Sequence, residues 1–276
     1  MKYLGNLRKM HTALDDRGNA LYALPLSDQI IDLNPLLGQQ FKLTYSGTIN
    51  CIHCGRKTSK SFNQGYCFPC FRKLARCDTC IIKPELCHYH QGTCREPEWG
   101  ESHCFQPHIV YLANSSGLKV GITRRGQIPT RWIDQGAVQA LPILEVTSRY
   151  LAGLLEVILK QHVSDRTHWQ KMLKSQAEAL DLEGQRDRLL TLCGQEIEQA
   201  ATSFETNAIR WLPEAVTTAI HYPVLEYPAK IKAFNFDKAP EAAGKLLGIK
   251  GQYLIFDGGV INIRKFAGYE VDLKKL

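Results

Sequence analysis

The stretch His108-Ile109-Val110-Tyr111-Leu112-Ala113-Asn114-Ser115-Ser116-Gly117-Leu118-Lys119-Val120-Gly121-Ile122-Thr123 decides how the fold is read. Two runs rich in β-branched and aromatic residues flank Asn-Ser-Ser-Gly, a turn composition, so the segment reads as a β-hairpin. Residues 124–137 then suggest a loop entering a helix, with Pro129 near its start. Ile143-Leu144-Glu145-Val146 looks like a third strand. Residues 149–163 have helical periodicity, with Leu151, Leu154, Leu155, Ile158 and His162 on one stripe and Arg149, Glu156 and Lys160 near the other side. The order is strand, strand, helix, strand, helix.

Immediately upstream the composition changes. Nine of the ten cysteines lie between 51 and 104. Clustered thiols in a reducing compartment point to metal rather than to disulfides. Cys51-Ile52-His53-Cys54 is followed, twelve residues later, by Cys67-Phe68-Pro69-Cys70. Each C-x-x-C places two thiolates on one tight turn, and two such turns make a tetrahedral four-cysteine site for zinc. Such closed sites are structural, because no coordination position stays open for water. A second group follows: Cys77, Cys80, Cys87, Cys94 and Cys104, interleaved with His88, His90 and His103. Here Cys77 and Cys80 are the first choice as ligands, joined by two of Cys87, Cys94 and Cys104; a single zinc with the later cysteines merely buried is the other option. Cys193 stands alone in a helical pattern and reads as a small buried apolar residue.

Both ends of the chain read as β-structure, with the middle inserted between them. Ala20–Leu24 and Phe41–Tyr45 are apolar or alternating, separated by the turn signals Asp15–Asn19 and Asn34-Pro35. Residues 36–50 can be laid on residues 246–262 as a weak repeat of a β-hairpin, or as two hairpins with similar turn chemistry. Residues 168–202 read as a long helical cover, broken near Gly184, with Arg186, Arg188, Glu196 and Glu198 on its wet surface. The fold class expected is therefore α+β, divided as an N-terminal β region (1–50), a cysteine-rich region (51–107), a small α/β module (108–165), a helical region (166–220) and a C-terminal β region (221–276).

The chain has 276 residues, 44% of them hydrophobic and 22% charged, which suits a folded protein with a sizeable core. No apolar run reaches the roughly 18 residues a membrane helix needs, and the N-terminus lacks a secretory pattern, so a cytoplasmic protein is expected. Its net charge is +7. Arg56, Lys57, Lys60, Arg72, Lys73 and Arg76 fall in one stretch without an acid; Lys119, Arg124, Arg125 and Arg131 fall in another. Phe62, Tyr66, Phe68 and Phe71 sit among the first group. Basic side chains with interleaved aromatic rings suit phosphate contacts and base stacking, so nucleic acid is the expected partner. Part of that charge also balances the net −2 of a four-thiolate zinc site.

The strand–strand–helix–strand–helix order and its residues resemble the GIY-YIG nuclease superfamily, in its shorter, divergent branches. Val110-Tyr111-Leu112 takes the GIY place and Lys119-Val120-Gly121 the YIG place, with Lys119 where the family has its second tyrosine. Arg131 stands at the helix arginine and Glu156 at the glutamate of the following helix. The resemblance implies magnesium-dependent cleavage of DNA or RNA. Tyr111 would help deprotonate the attacking water, Arg131 would bind the scissile phosphate and Glu156 would hold Mg²⁺. Lys119 would serve as a phosphate contact or as a base of lowered pKa. The chain is also similar to a family of uncharacterised bacterial proteins that joins such cysteines to a Lys-Val-Gly-Ile-Thr-Arg segment. Two rival expectations differ in class: a nucleic-acid-binding protein that keeps the module only for docking, and a redox-sensing scaffold built on labile thiols.

Overall fold

The first and last strands of the chain lie side by side in one sheet. The computed structural model describes residues 2–276. The N-terminal stretch forms β1 (Lys2–Asn6), β2 (His11–Leu14), β3 (Ala20–Leu26), β4 (Gln29–Asp32) and β5 (Gln40–Ile49). The cysteine-rich stretch follows, mostly as single turns, with short helices α1 (Phe68–Lys73) and α2 (Pro97–Cys104). Next come β6 (His108–Asn114), β7 (Leu118–Arg124), α3 (Thr130–Asp134), β8 (Gln139–Val146) and α4 (Arg149–Leu159). Helices α5 (Trp169–Lys174) and α6 (Leu182–Ala201) and the short strands β9 (Ile209–Trp211) and β10 (Thr218–Ala219) lead to the C-terminal strands β11 (Glu241–Lys250), β12 (Tyr253–Phe256), β13 (Gly259–Asn262) and β14 (Tyr269–Lys275). The fold class is α+β.

The largest sheet has the order β1-β14-β5-β11-β12-β13, every pair antiparallel. A second sheet runs β10-β8-β6-β7, with β9 also on β8, and β2-β3-β4 make a third. Alternate residues of β6 serve two different cores, as the period of two along a strand requires. Val110 and Leu112 face α4 and α6, packing with Leu141, Ile143, Leu151, Leu155 and Cys193. Ile109, Tyr111 and Ala113 face the other way, toward Trp132, Ile133 and the large sheet. Burial of Leu151, Leu155 and Leu159, all fully enclosed, fixes α4 against the second sheet with about 1.5–3 kcal/mol from each side chain. Ser148 caps that helix by accepting from the Leu151 N–H at 3.3 Å.

Four local expectations are corrected. Residues 36–50 and 246–262 are not equivalent hairpins: β5 is one continuous strand between β14 and β11, and only the later segment turns, through β11, β12 and β13. Gly47, aligned with a turn, instead lies where the β5–β14 register shifts. The 168–202 region breaks at residues 175–181, before Gly184, because Asp181 caps α6 by accepting from the Gly184 N–H at 2.9 Å. Arg186 does not face water: it is buried and donates to the carbonyls of Pro213 (2.6 Å) and Ala215 (3.1 Å). The stripe of α4 runs through Leu151, Ala152, Leu155 and Leu159, whereas His162 lies past the helix end and is exposed. Cys193 is fully buried, as its isolation suggests.

Candidate functional site

Two C-x-x-C turns come together just past the C-terminal end of β5, an interior strand of the large sheet. The ligand atoms of Cys51, Cys54, Cys67 and Cys70 all lie within 4.8 Å of one another, and the Cys54 and Cys67 Sγ atoms are 3.8 Å apart. Zinc–sulfur bonds of about 2.3 Å arranged tetrahedrally give such sulfur–sulfur spacings. Burial opposes ionisation of Cys51, but the backbone N–H groups of Cys54, Cys67 and His53 outweigh it and bring the thiol down to about 6. A thiolate so supported is a metal ligand at neutral pH. The quartet fits a structural zinc ion.

The second cysteine group is arranged differently from expectation. Cys77 is buried apart from the others, with Asn63 as its side-chain hydrogen-bond partner. Cys80, Cys87, Cys94 and Cys104 instead line one small cavity. His88 lies near Asp78, their side chains 3.5 Å apart, while His103 stacks on Trp99 at 4.3 Å between ring centroids.

Between the knuckles, α4 and the large sheet opens a cavity of about 1090 Å³. Lys119, Arg131 and Glu156, distant in sequence, all line it. Lys119 comes from β7, Arg131 from α3 and Glu156 from the face of α4 beside its apolar stripe. Eight lysines and arginines line the cavity, namely Arg8, Lys9, Arg76, Lys119, Arg124, Arg131, Arg149 and Arg264, against two carboxylates, Glu156 and Asp165. The potential inside is strongly positive and selects anions. Burial, then the neighbouring Arg131, lowers the Lys119 ammonium to about 8, with Glu156 and Asp165 acting against the shift. Burial and Asp165 raise Glu156, countered by Lys119 and Arg131.

Tyr111 is the exception among the four residues matched to the GIY-YIG pattern. It is fully buried and does not line the cavity. Its hydroxyl donates to Gln135 Oε1 at 3.0 Å, beside the Arg131 guanidinium, so it supports two residues that do line the cavity. Burial raises its pKa, which disfavours a phenolate.

The basic residues named from the first stretch divide. Arg76 reaches the cavity and packs over the Trp99 ring at 5.7 Å. Arg56, Lys57, Lys60, Arg72 and Lys73 are exposed on the outside of the first knuckle. There Phe62 packs against Phe68 and Phe71, with centroids 5.4 and 5.8 Å away, and Tyr66 lines the cavity. Arg124 lines the cavity, whereas Arg125 turns to Glu145 at 3.4 Å. Sequence reasoning missed Asp165, Arg8, Lys9 and Arg264. No local pattern marks them; they become neighbours only when the two ends of the chain close over the module. Arg149, expected near the side of α4 opposite its apolar stripe, lies on the cavity wall and donates to the Ile81 carbonyl.

Residues 38–271 match the family described as "Protein of unknown function (DUF2797)". The chain belongs to DUF2797. That span of the DUF2797 protein takes in both cysteine groups, Lys119, Arg131, Glu156, Asp165 and Arg264, and leaves out Arg8, Lys9 and the strands β2, β3 and β4. No curated protein and no solved structure matches it. Among the described residues no helix is long and apolar enough to cross a membrane.

Proposed function

We propose that this protein is a zinc-stabilised, magnesium-dependent nuclease of GIY-YIG type that cleaves phosphodiesters of DNA or RNA in the basic cavity. In this reading residues 108–165 are the catalytic module and residues 51–107 a zinc-held wall along which the nucleic acid lies. One observation carries it: Lys119, Arg131 and Glu156 face a single cavity whose other charged lining residues are all cationic except Asp165.

The groups divide the work by their chemistry. The Arg131 guanidinium forks onto the non-bridging oxygens of the scissile phosphate. The Lys119 amine, whose pKa burial brings down to about 8 so that a minor share is neutral at pH 7, accepts the proton of the attacking water as its oxygen bonds to phosphorus. The sugar oxygen leaves with the electron pair of the broken P–O bond and takes a proton from solvent. Glu156, whose pKa is raised by burial and then by neighbouring Asp165, would hold with that second carboxylate a magnesium ion that keeps several waters. Once bound, that ion offsets the charge growing on the phosphoryl oxygens. Tyr111 acts as a positioning residue behind Arg131 and Gln135. Arg76 and Arg124, with the exposed Arg56, Lys57, Lys60, Arg72 and Lys73, supply phosphate contacts away from the cut.

The test is a cleavage assay on single- and double-stranded DNA and RNA with and without Mg²⁺. Glu156→Gln is expected to lower the rate by roughly 10²–10⁴-fold, the range typical of positioned acid–base and metal-site groups, while binding persists. Arg131→Ala is expected to weaken both. Wild-type protein that binds every substrate and cuts none would establish the docking role alone, a reading that the burial of Tyr111 favours. Absence of binding would end both.

A further inference from the structure

We propose that Cys80, Cys87, Cys94 and Cys104 hold a second zinc ion, and that this second knuckle forms the wall of the basic cavity on the side of α4. The inference is independent of any cleavage chemistry.

The four cysteines line one cavity of about 20 Å³. That is close to the space of a single water-sized particle. Their sulfurs stand wider apart than in the first knuckle, where all four lie within 4.8 Å of one another, so the ion would draw the loops inward onto it. Gly100 keeps it open on one side: a Cβ there would stand 3.5 Å from the Cys94 Sγ and 3.3 Å from the Tyr89 ring. A dication bound there would take the four thiols as thiolates and release their protons to solvent.

A rival ligand set lies beside it. The side chains of Asp78, Cys80 and His88 come within 4.8 Å of one another. However, the Asp78 carboxylate is already engaged by Arg95 at 2.7 Å and by the Thr79 N–H at 2.6 Å. The His88 Nδ1 is bonded to the Thr93 hydroxyl at 2.7 Å. Asp78 is thereby held in the loop, whereas His88 keeps its Nε2 as a ligand atom, and the zinc content of His88→Ala decides between the two ligand sets.

The link to the cavity runs through Arg149. A four-thiolate zinc site carries a net −2, and Arg149 is the cation beside it, interacting with Cys104 and Cys80. Its guanidinium also donates to the Ile81 carbonyl, and Ile81, Ile82 and Pro84 face the cavity from the same loop. On α4, Gly153 packs directly on Pro84: an added Cβ would lie 2.6 Å from the proline Cβ. The second knuckle is therefore seated on the helix that carries Glu156, one turn before it.

Zinc per chain, measured by elemental analysis of the purified full-length protein, tests the proposal. Two zinc ions are expected in the wild type and in Cys77→Ser, and one in Cys87→Ser and Cys94→Ser. One zinc in the wild type would overturn it, as would loss of a zinc in His88→Ala but not in Cys94→Ser. Should the cysteine variants fail to fold, stepwise thiol titration of the wild type with a mercurial reagent and a zinc indicator decides it. Eight thiols whose modification releases two zinc ions support the second site, and four that release one refute it.

Discussion

The Tyr111 hydroxyl lies directly against Gly121 on the neighbouring strand: a Cβ on Gly121 would stand 2.7 Å from the phenol oxygen. The two residues are paired across the β6–β7 register. The ring is fully buried between the second sheet and Trp132 and has no room to retreat. Gly121→Ala is therefore expected to destabilise the protein by about 1–3 kcal/mol through overpacking, measured by urea unfolding. An unchanged midpoint would mean that the ring moves freely, against the close packing described.

Tyr111→Phe separates support from chemistry. It removes the donor to Gln135 Oε1 in a buried setting and is expected to cost about 0.5–1.5 kcal/mol. As a positioning residue Tyr111 should tolerate this change with part of any cleavage activity intact and with an unaltered pH profile. A complete loss of activity at full stability would restore the phenol to a direct role.

Acidity gives a third prediction. Lys119 ionises near 8 in the folded chain, below the ordinary lysine value. Cleavage is expected to rise with pH through about 8 and then level off, because only the neutral amine accepts a proton. Folding stability moves in the same direction. Between that pKa and the unfolded one the unfolded chain binds more protons, so stability increases as pH climbs through the window. Lys119→Met should reduce that increase and leave the share due to Lys250, which burial also lowers to about 8; an increase of unchanged size would assign the whole effect to Lys250.

Zinc removal should be felt locally and strongly. Structural zinc supplies roughly 10–16 kcal/mol of binding energy in small zinc-finger peptides, and here it joins turns with little core of their own. Cys54→Ser, or incubation with a strong chelator, is expected to release the zinc of the first knuckle and to expose residues 51–70 to proteolysis before the rest of the chain. Uniform resistance after confirmed metal loss would contradict a structural role.

Arg186 offers a test remote from both sites. Its guanidinium donates to two backbone carbonyls while buried in α6. Arg186→Ala is expected to cost about 1.5–3 kcal/mol, since hydrogen bonds from a charged donor to two partly buried carbonyls are lost. Thermal and urea unfolding would check it, and an effect below a few tenths of a kcal/mol would return Arg186 to the surface.

What the sequence determined by itself is whatever depends on short-range periodicity and spacing. The hairpin at 108–124, the helix beginning at Arg149 and the four-cysteine knuckle at 51–70 all follow from neighbours within a few turns of one another, where backbone geometry leaves few alternatives. Even there, the burial of Arg186 was invisible, because a helix reveals its polar face but not which other segment will cover it. The tertiary structure alone decided which cysteines share a space, setting Cys77 apart from Cys80, Cys87, Cys94 and Cys104. It alone brought Arg8, Asp165 and Arg264 to Lys119, Arg131 and Glu156, and placed Tyr111 behind them. The reason is physical: the pairing of β1 with β14 closes the two ends of the chain across the module, and contacts between segments so far apart follow from how whole sheets pack, which no local pattern encodes.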